Sequence, residues 1–172
     1  MPTPTYEPIA TALASVDTST ISFNSIPQTY NHLIIAFYAR STRTGNVFDR
    51  LFLRFNGDTG TNYSTVAAQY LSASGLVSPN SESTANPIYL AEGIPTADTP
   101  AGQYAYIRID IPSYRNSTWK TATAILFGEQ TNLAALSVGA ELWKSTSSIS
   151  SMALECTNQW VAGSQFTLYG VV

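Results

Sequence analysis

The chain is poor in charged residues. They make up 11% of its 172 residues, and the formal net charge is −3. Soluble domains usually carry about 25% charged residues. A general nucleic-acid-binding protein would need a basic excess to release counterions from phosphates. Nucleic acid is therefore not expected as a partner.

Cysteine and histidine occur once each, as Cys156 and His32. A single cysteine excludes an intrachain disulfide and a cysteine-based zinc site. We predict that Cys156 is a buried thiol, because it lies on the same side of an alternating run as Met152 and Leu154. His32 precedes an apolar run, and we predict a structural hydrogen bond for it rather than a place in a Ser-His-Asp arrangement. Phosphate-binding glycine motifs are missing too, so no cofactor and no metal ion are expected.

Long hydrophobic runs are also absent. No stretch reaches the roughly 18 apolar residues that a membrane-spanning helix needs. The first residues, MPTP, have no basic start and no apolar run behind them, unlike a signal peptide. We therefore expect a protein that is made in a cytoplasm and has no membrane partner.

Hydroxyl-bearing and apolar residues are abundant, in contrast to the charged ones. The sequence has 20 Ser, 21 Thr and 10 Tyr, and 44% of it is hydrophobic. This apolar content is enough for a packed core, and threonine and aromatic residues favour strands over helices. The length is that of one domain.

Apolar and polar residues alternate along most of the chain, which is typical of half-buried strands. In the clearest case, YAYIRIDIP at residues 104–112, the residues predicted to face inward are Ala105, Ile107, Ile109 and Ile111. In residues 50–55 they are Leu51, Leu53 and Phe55, and residues 32–39 are apolar on both faces. Other predicted strands cover residues 8–15, 20–26, 32–39, 50–55, 119–127, 136–143, 148–156 and 165–172. Only for residues 63–71 does the sequence also allow a short helix. We predict an all-β fold, an antiparallel β-sandwich or jelly roll of about eight to ten short strands over residues 9–172, preceded by an extended arm at residues 1–8.

Exposed sheet edges are a weakness of such a fold, and lysines usually protect them. This chain has only two lysines, Lys120 and Lys144. We therefore expect neighbouring copies of the chain to cover some edges, in a homo-oligomer.

The segment FLRFNGDTGTNYS contains Asp58-Thr59-Gly60, the tripeptide that carries the catalytic carboxylate of aspartic proteases. It follows Asn56-Gly57, a strong signal for a tight turn into solvent, whereas the protease motif follows apolar residues. The segment also offers too few carboxylates for calcium. We interpret it as a hairpin loop.

Paired carboxylates of a glycoside hydrolase could in principle come from several acidic residues, which are Asp49, Asp58, Asp98, Asp110, Glu129 and Glu141. Nothing in the sequence singles out two of them. No catalytic residue is predicted, and we do not expect an enzyme.

Five segments resemble small β-proteins encoded among the structural genes of tailed bacteriophages. They are RFNGDTGTNYS, ISFNSIPQTYNHLII, RSTR, ELWKSTSSISSMAL and AGSQFTLYGV, and they extend from near residue 20 to the C-terminus. Residues 74–102 have no counterpart in that pattern. The resemblance implies a virion structural protein, either a head decoration protein or a piece of a tail fibre, and it implies no catalytic residues.

The resemblance and the composition together favour a capsid decoration (cement) protein on the outer head surface, made in the host cytoplasm. Its expected partners are the major capsid protein and its own copies, in a homotrimer. Two groups of residues are candidates for partner binding. The first is the arm, with Pro2, Pro4, Tyr6 and Pro8, and the second is an arginine group, with Arg40, Arg43, Arg50 and Arg54.

The alternative is a receptor- or carbohydrate-binding tip of a tail fibre or baseplate protein. Exposed aromatic side chains stack on sugars. The candidates for this role are Trp119, Trp143 and Trp160.

Overall fold

The computed structural model describes residues 5–72, 75–85, 88–130 and 133–172. These ranges form twelve strands: β1 Tyr6–Leu13, β2 Thr18–Phe23, β3 His32–Ala39, β4 Phe48–Phe55, β5 Tyr63–Leu71, β6 Gly75–Ala85, β7 Ile88–Pro95, β8 Ala105–Pro112, β9 Lys120–Gln130, β10 Leu133–Trp143, β11 Met152–Trp160 and β12 Gln165–Val171. The predicted all-β class is confirmed, with more strands than the eight to ten expected. No described residue belongs to a helix long and apolar enough to cross a membrane.

Two antiparallel sheets build the domain. The large sheet has the order β1-β12-β3-β8-β9-β10-β5-β6, and the small sheet has the order β2-β11-β4-β7. Strand β3 lies inside the large sheet, as its apolar residues on both faces predict. Residues 63–71 do not form the short helix that the sequence allowed. This segment is strand β5, in which every second side chain, beginning with Tyr63, is buried.

The hydrophobic core lies between the two sheets. In β4 and β8, the apolar residues predicted to face inward are all fully buried: Leu51, Leu53, Phe55, Ala105, Ile107, Ile109 and Ile111. At one end of the core, Trp160 packs edge-on against Phe37 and Phe166, with ring centroids 6.3 and 5.2 Å away. This arrangement is a favourable one for aromatic pairs.

Strand β7 is an edge of the small sheet, and its outer carbonyl groups are satisfied by the opposite sheet. Its register with β4 skips Leu90 and Gly93, so two bulges bend it. The carbonyl of Glu92 accepts hydrogen bonds from Gln69 and Ser137, and the carbonyl of Tyr89 accepts one from a threonine of β5. Side chains of β5 and β10 therefore satisfy two carbonyl groups of this edge. The homo-oligomer expected from the sequence stays a prediction.

The N-terminal strand begins earlier than predicted. Tyr6 and Pro8 belong to β1 and lie opposite Val171 and Tyr169 of β12. The extended arm predicted for residues 1–8 is therefore wrong for these residues, because they pair within the sheet. Pro2 and Pro4 lie outside the described residues.

Candidate functional site: the outer face of the large sheet

The large sheet has one face that points away from the small sheet, here called the outer face. Ten large hydrophobic side chains of the described residues are exposed. Seven of them lie on the outer face: Tyr6, Leu13, Tyr38, Val66, Tyr70, Phe127 and Val138. Scattered exposed apolar residues are ordinary, and their concentration on one face makes this face the candidate interaction surface.

An aromatic row crosses five strands of this face. Its members lie directly opposite one another in neighbouring strands, in the order Tyr38, Tyr106, Phe127, Leu136 and Tyr70. The rings of Tyr38 and Tyr106 are tilted against each other, with centroids 5.3 Å apart. The row arises because the strand registers bring together outward positions that are far apart in the sequence.

The six central strands of the outer face, from β12 to β5, divide into two halves of different chemistry. The first, called the apolar half, consists of twelve outward side chains of β9, β10 and β5: Thr121, Thr123, Ile125, Phe127, Leu136, Val138, Ala140, Leu142, Ser64, Val66, Ala68 and Tyr70. Nine of the twelve are apolar and none is charged, and the exposed Glu129 follows them as the next outward residue of β9. A shallow depression within it is lined mostly by small and branched side chains, among them Ala68, Ala140, Val66 and Val138, and also by Asp110 of β8.

The second, called the polar half, lies on β12, β3 and β8. It combines Tyr38 and Tyr106 with Gln165, Thr167 and Tyr169, which line one shallow depression. Beside it, Arg108 donates hydrogen bonds of 2.9 and 2.8 Å to the two carboxylate oxygens of Asp110. This bidentate pair raises the pKa of Arg108 and leaves the half without net charge from these two groups.

The structure does not bring the four predicted arginines together as a surface group. Arg40 is buried, and its guanidinium donates to the carbonyl oxygens of Thr99, Pro100 and Gln103 at 2.7, 2.7 and 3.2 Å. It holds the loop before β8 and is unavailable to a partner. The prediction of partner binding is therefore wrong for Arg40.

The other three arginines are partly exposed, and each contacts side chains of the same chain. Arg43 lies 3.5 Å from the fully buried Asp49, and Arg54 lies 3.8 Å from Glu155. Arg50 is half exposed and lies over the ring of Tyr89, 5.1 Å from its centroid. Partner binding through these three arginines stays a prediction.

The tryptophans separate into two environments. Trp143 and Trp160 are buried in the core, with 2% and 0% of their surface exposed. Buried rings offer no face to a sugar, so the prediction of sugar stacking is wrong for these two. Trp119 is exposed in the loop before β9, and for it the prediction stands.

The Asp-Thr-Gly segment is a loop, as predicted, but it is not a hairpin, because β4 belongs to the small sheet and β5 to the large sheet. Asn56 and Gly57 have φ values of 51° and 64°, as the predicted tight turn requires. The Asp58 carboxylate accepts hydrogen bonds from the Trp143 indole, the Asn62 amide and a backbone N–H. The indole bond is the main cause that lowers the pKa of Asp58. The carboxylate therefore holds the loop together.

The predictions for the single histidine and the single cysteine, a structural hydrogen bond and a buried thiol, are both confirmed. His32 is exposed at the start of β3, and its Nδ1 accepts a 3.2 Å hydrogen bond from the backbone N–H of Ser113. Cys156 is buried, and burial raises its pKa to about 12. Among the described residues, no group of three or more His, Cys, Asp and Glu side chains is arranged to hold a metal ion.

No known protein-family model matches the chain. No curated protein matches it significantly either.

Proposed function

We propose that this chain is a virion structural protein of a tailed bacteriophage, a decoration protein that binds the outer head surface and bridges capsid subunits. One observation carries the proposal: seven of the ten exposed large hydrophobic side chains lie on one face of one sheet. A broad, flat and weakly charged surface suits contacts between proteins in a dense lattice. The phage resemblance of the sequence supports the same role.

In this role the protein acts by binding alone. Its partners would be the major capsid protein and further copies of itself, with a trimer as the expectation from the sequence. Many copies, each with a modest contact, would together stabilise the shell through effective concentration. Pro2, Pro4, Tyr6 and Pro8 stay candidates for capsid contact, together with the partly exposed Arg43, Arg50 and Arg54.

The test is the number of copies per purified particle, measured by quantitative mass spectrometry against the major capsid protein. A ratio close to a simple fraction of the capsid subunits supports a decoration protein. A few copies per particle would instead place the protein on the tail, and its absence from the particle would refute both positions.

A second candidate function is binding of a receptor carbohydrate at a fibre or baseplate tip. The polar half of the outer face favours it, because Tyr38 and Tyr106 lie beside hydrogen-bonding side chains, as sugar recognition requires. Binding of purified host-cell polysaccharide would be measured for the protein and for Tyr38→Ala and Tyr106→Ala. Tyr70→Ala, at the far end of the same aromatic row, is the matched control and should bind normally.

A further inference from the structure

We infer that the apolar half of the outer face is where two copies of this chain bind each other. The inference goes beyond the proposed function, because it concerns the isolated protein and assigns a particular surface to self-association. It rests on the charge, the shape and the extent of this surface.

The first argument is charge. None of the twelve side chains of the apolar half is charged, and nine are apolar. Contacts with a different protein usually include complementary charges that select the partner. Interfaces between identical subunits are more apolar than transient ones. Two copies of these twelve side chains also meet without repulsion between like charges. The carboxylates that border them are Glu129, at the end of β9, and Asp110, which is paired with Arg108.

The second argument is shape. In one cross-strand row Val138 lies next to Ala68, and in the next row Ala140 lies next to Val66. The two valines protrude, with 58% of Val66 and 41% of Val138 exposed, while the alanines line the depression between them. Large and small residues thus alternate diagonally. A second copy turned by a two-fold rotation can place its valines over the alanines of the first, as facing sheets interdigitate.

The third argument is extent. Three strands about 4.8 Å apart, each about eight residues long, give a flat footprint of about 400 Å². A contact of standard size therefore also includes the neighbouring strands β8 and β3 of the polar half, with Tyr106, Tyr38 and the Arg108–Asp110 pair, and these strands raise the footprint to about 600 Å². The accessible area of a corrugated surface exceeds its flat projection. The face is therefore comparable with the roughly 800 Å² per partner of a standard interface.

This contact differs from the sequence expectation in its symmetry. A surface that pairs with itself closes as a two-fold dimer, whereas a trimer would have to use a different pair of surfaces. The expected species in solution is therefore a dimer, with about twice the 18.5 kDa mass of the chain.

The test is the mass of the purified full chain by light scattering, from about 1 to about 100 µM, a range that separates weak from stable association. The variant carries Val66→Glu and Val138→Glu, which would bring four carboxylates into the contact. Its dissociation constant should rise by at least roughly 100-fold. The matched control carries Val16→Glu and Val172→Glu, the same change at exposed valines off this face, and it should remain a dimer.

Circular dichroism and thermal unfolding establish that both variants are folded, which is expected since all four valines are exposed. A dimer that only the Val66/Val138 variant dissociates supports the inference. A monomer at all concentrations, a trimer, or a mass that both variants leave unchanged would overturn it. Binding of the same proteins to undecorated heads is measured separately, so failure of the dimer and failure of the proposed function give different results.

Discussion

The indole Nε1 of Trp143 donates a 2.8 Å hydrogen bond to Oδ2 of Asp58. This bond connects the loop between β4 and β5 to the last residue of β10, in the core. Asp58 also accepts from Asn62 and from the backbone N–H of Gly60, so one carboxylate organises the whole loop.

Replacing Asp58 by alanine should therefore destabilise the domain. The change leaves the buried indole N–H of Trp143 without its acceptor, and we expect the free energy of unfolding to fall by about 1–3 kcal/mol. Asp58→Asn, which keeps one acceptor oxygen, should lose less. Urea unfolding measures both, and Asp98→Ala, at an exposed loop carboxylate, is the control and should be nearly neutral.

The same bond predicts a dependence on pH. Hydrogen bonding lowers the pKa of Asp58 in the folded state. Its stabilising contribution is then complete above the unfolded pKa, near 4, and is lost as the pH falls through the lower folded value. The difference between the protein and Asp58→Ala should shrink at the acid end of the titration. A difference that stays constant from pH 7 to pH 2 would contradict this role for the charge.

Replacing Arg40 by lysine should lower the stability of the domain. Its planar guanidinium donates to three carbonyl oxygens of the loop before β8, at Thr99, Pro100 and Gln103, and one ammonium group cannot reach all three in this geometry. We expect Arg40→Lys to lower the free energy of unfolding by about 2–4 kcal/mol, since a buried network is broken. Hydrogen exchange should increase at residues 97–103. Arg50→Lys, at the half-exposed arginine, is the matched control and should leave that exchange unchanged.

Gly139 should not tolerate any side chain. A Cβ atom at this position would overlap the carbonyl oxygen of Leu90, at the bulge of β7. Because the obstacle is backbone, we expect Gly139→Ala to cost about 3 kcal/mol or more in thermal or urea unfolding. Ala140→Ser, one residue further on and on the outer face, is the control. Equal stability of the two variants would mean that β7 does not approach β10 this closely.

The sequence predicts the strands well where burial alternates with period 2. Strand β3 has its predicted bounds, and the inward residues of β4 and β8 are the predicted ones. Strand β7 was missed because its two bulges, at Leu90 and Gly93, break the alternation that such a prediction depends on.

The candidate site was much harder to predict than the strands. Its aromatic row is created by strand registers, which join Tyr38 to Tyr106 and Phe127 to Leu136 across separate parts of the chain. A single sequence does not contain those registers. Because the sequence also allowed a helix for residues 63–71, it did not predict that Val66 points outward. The alternation of β10 did contain a signal, because its outward residues Leu136, Val138, Ala140 and Leu142 are apolar where solvent would favour polar residues.

The arginine group illustrates the opposite error. Four arginines within 15 residues suggest a charged surface, but charge density along the chain does not give the direction of each side chain. Arg40 follows the end of β3, and its side chain points into the domain. Arg50 and Arg54 lie on β4, which is paired with β11 on one side and β7 on the other. Only the fold separates these environments.

Glu141 should make the domain less stable as the pH rises. Its side chain is buried between the sheets, and neither carboxyl oxygen has a hydrogen-bond partner among the described residues. Burial raises its pKa well above the ordinary value. An acid whose folded pKa is raised favours folding below its unfolded pKa, near 4.3, and this advantage is lost as the pH rises toward the folded value.

Glu141→Met removes the ionisable group and keeps a side chain of similar length. We expect it to be more stable than the protein by about 1–3 kcal/mol at pH 7 to 8, and the gain should become smaller toward pH 4. Urea unfolding across this range measures the gain. Glu129→Met, at an exposed carboxylate of β9, is the matched control and should show no such trend. If Glu141→Met instead destabilised the domain at every pH, the carboxyl group would have to hold an essential partner.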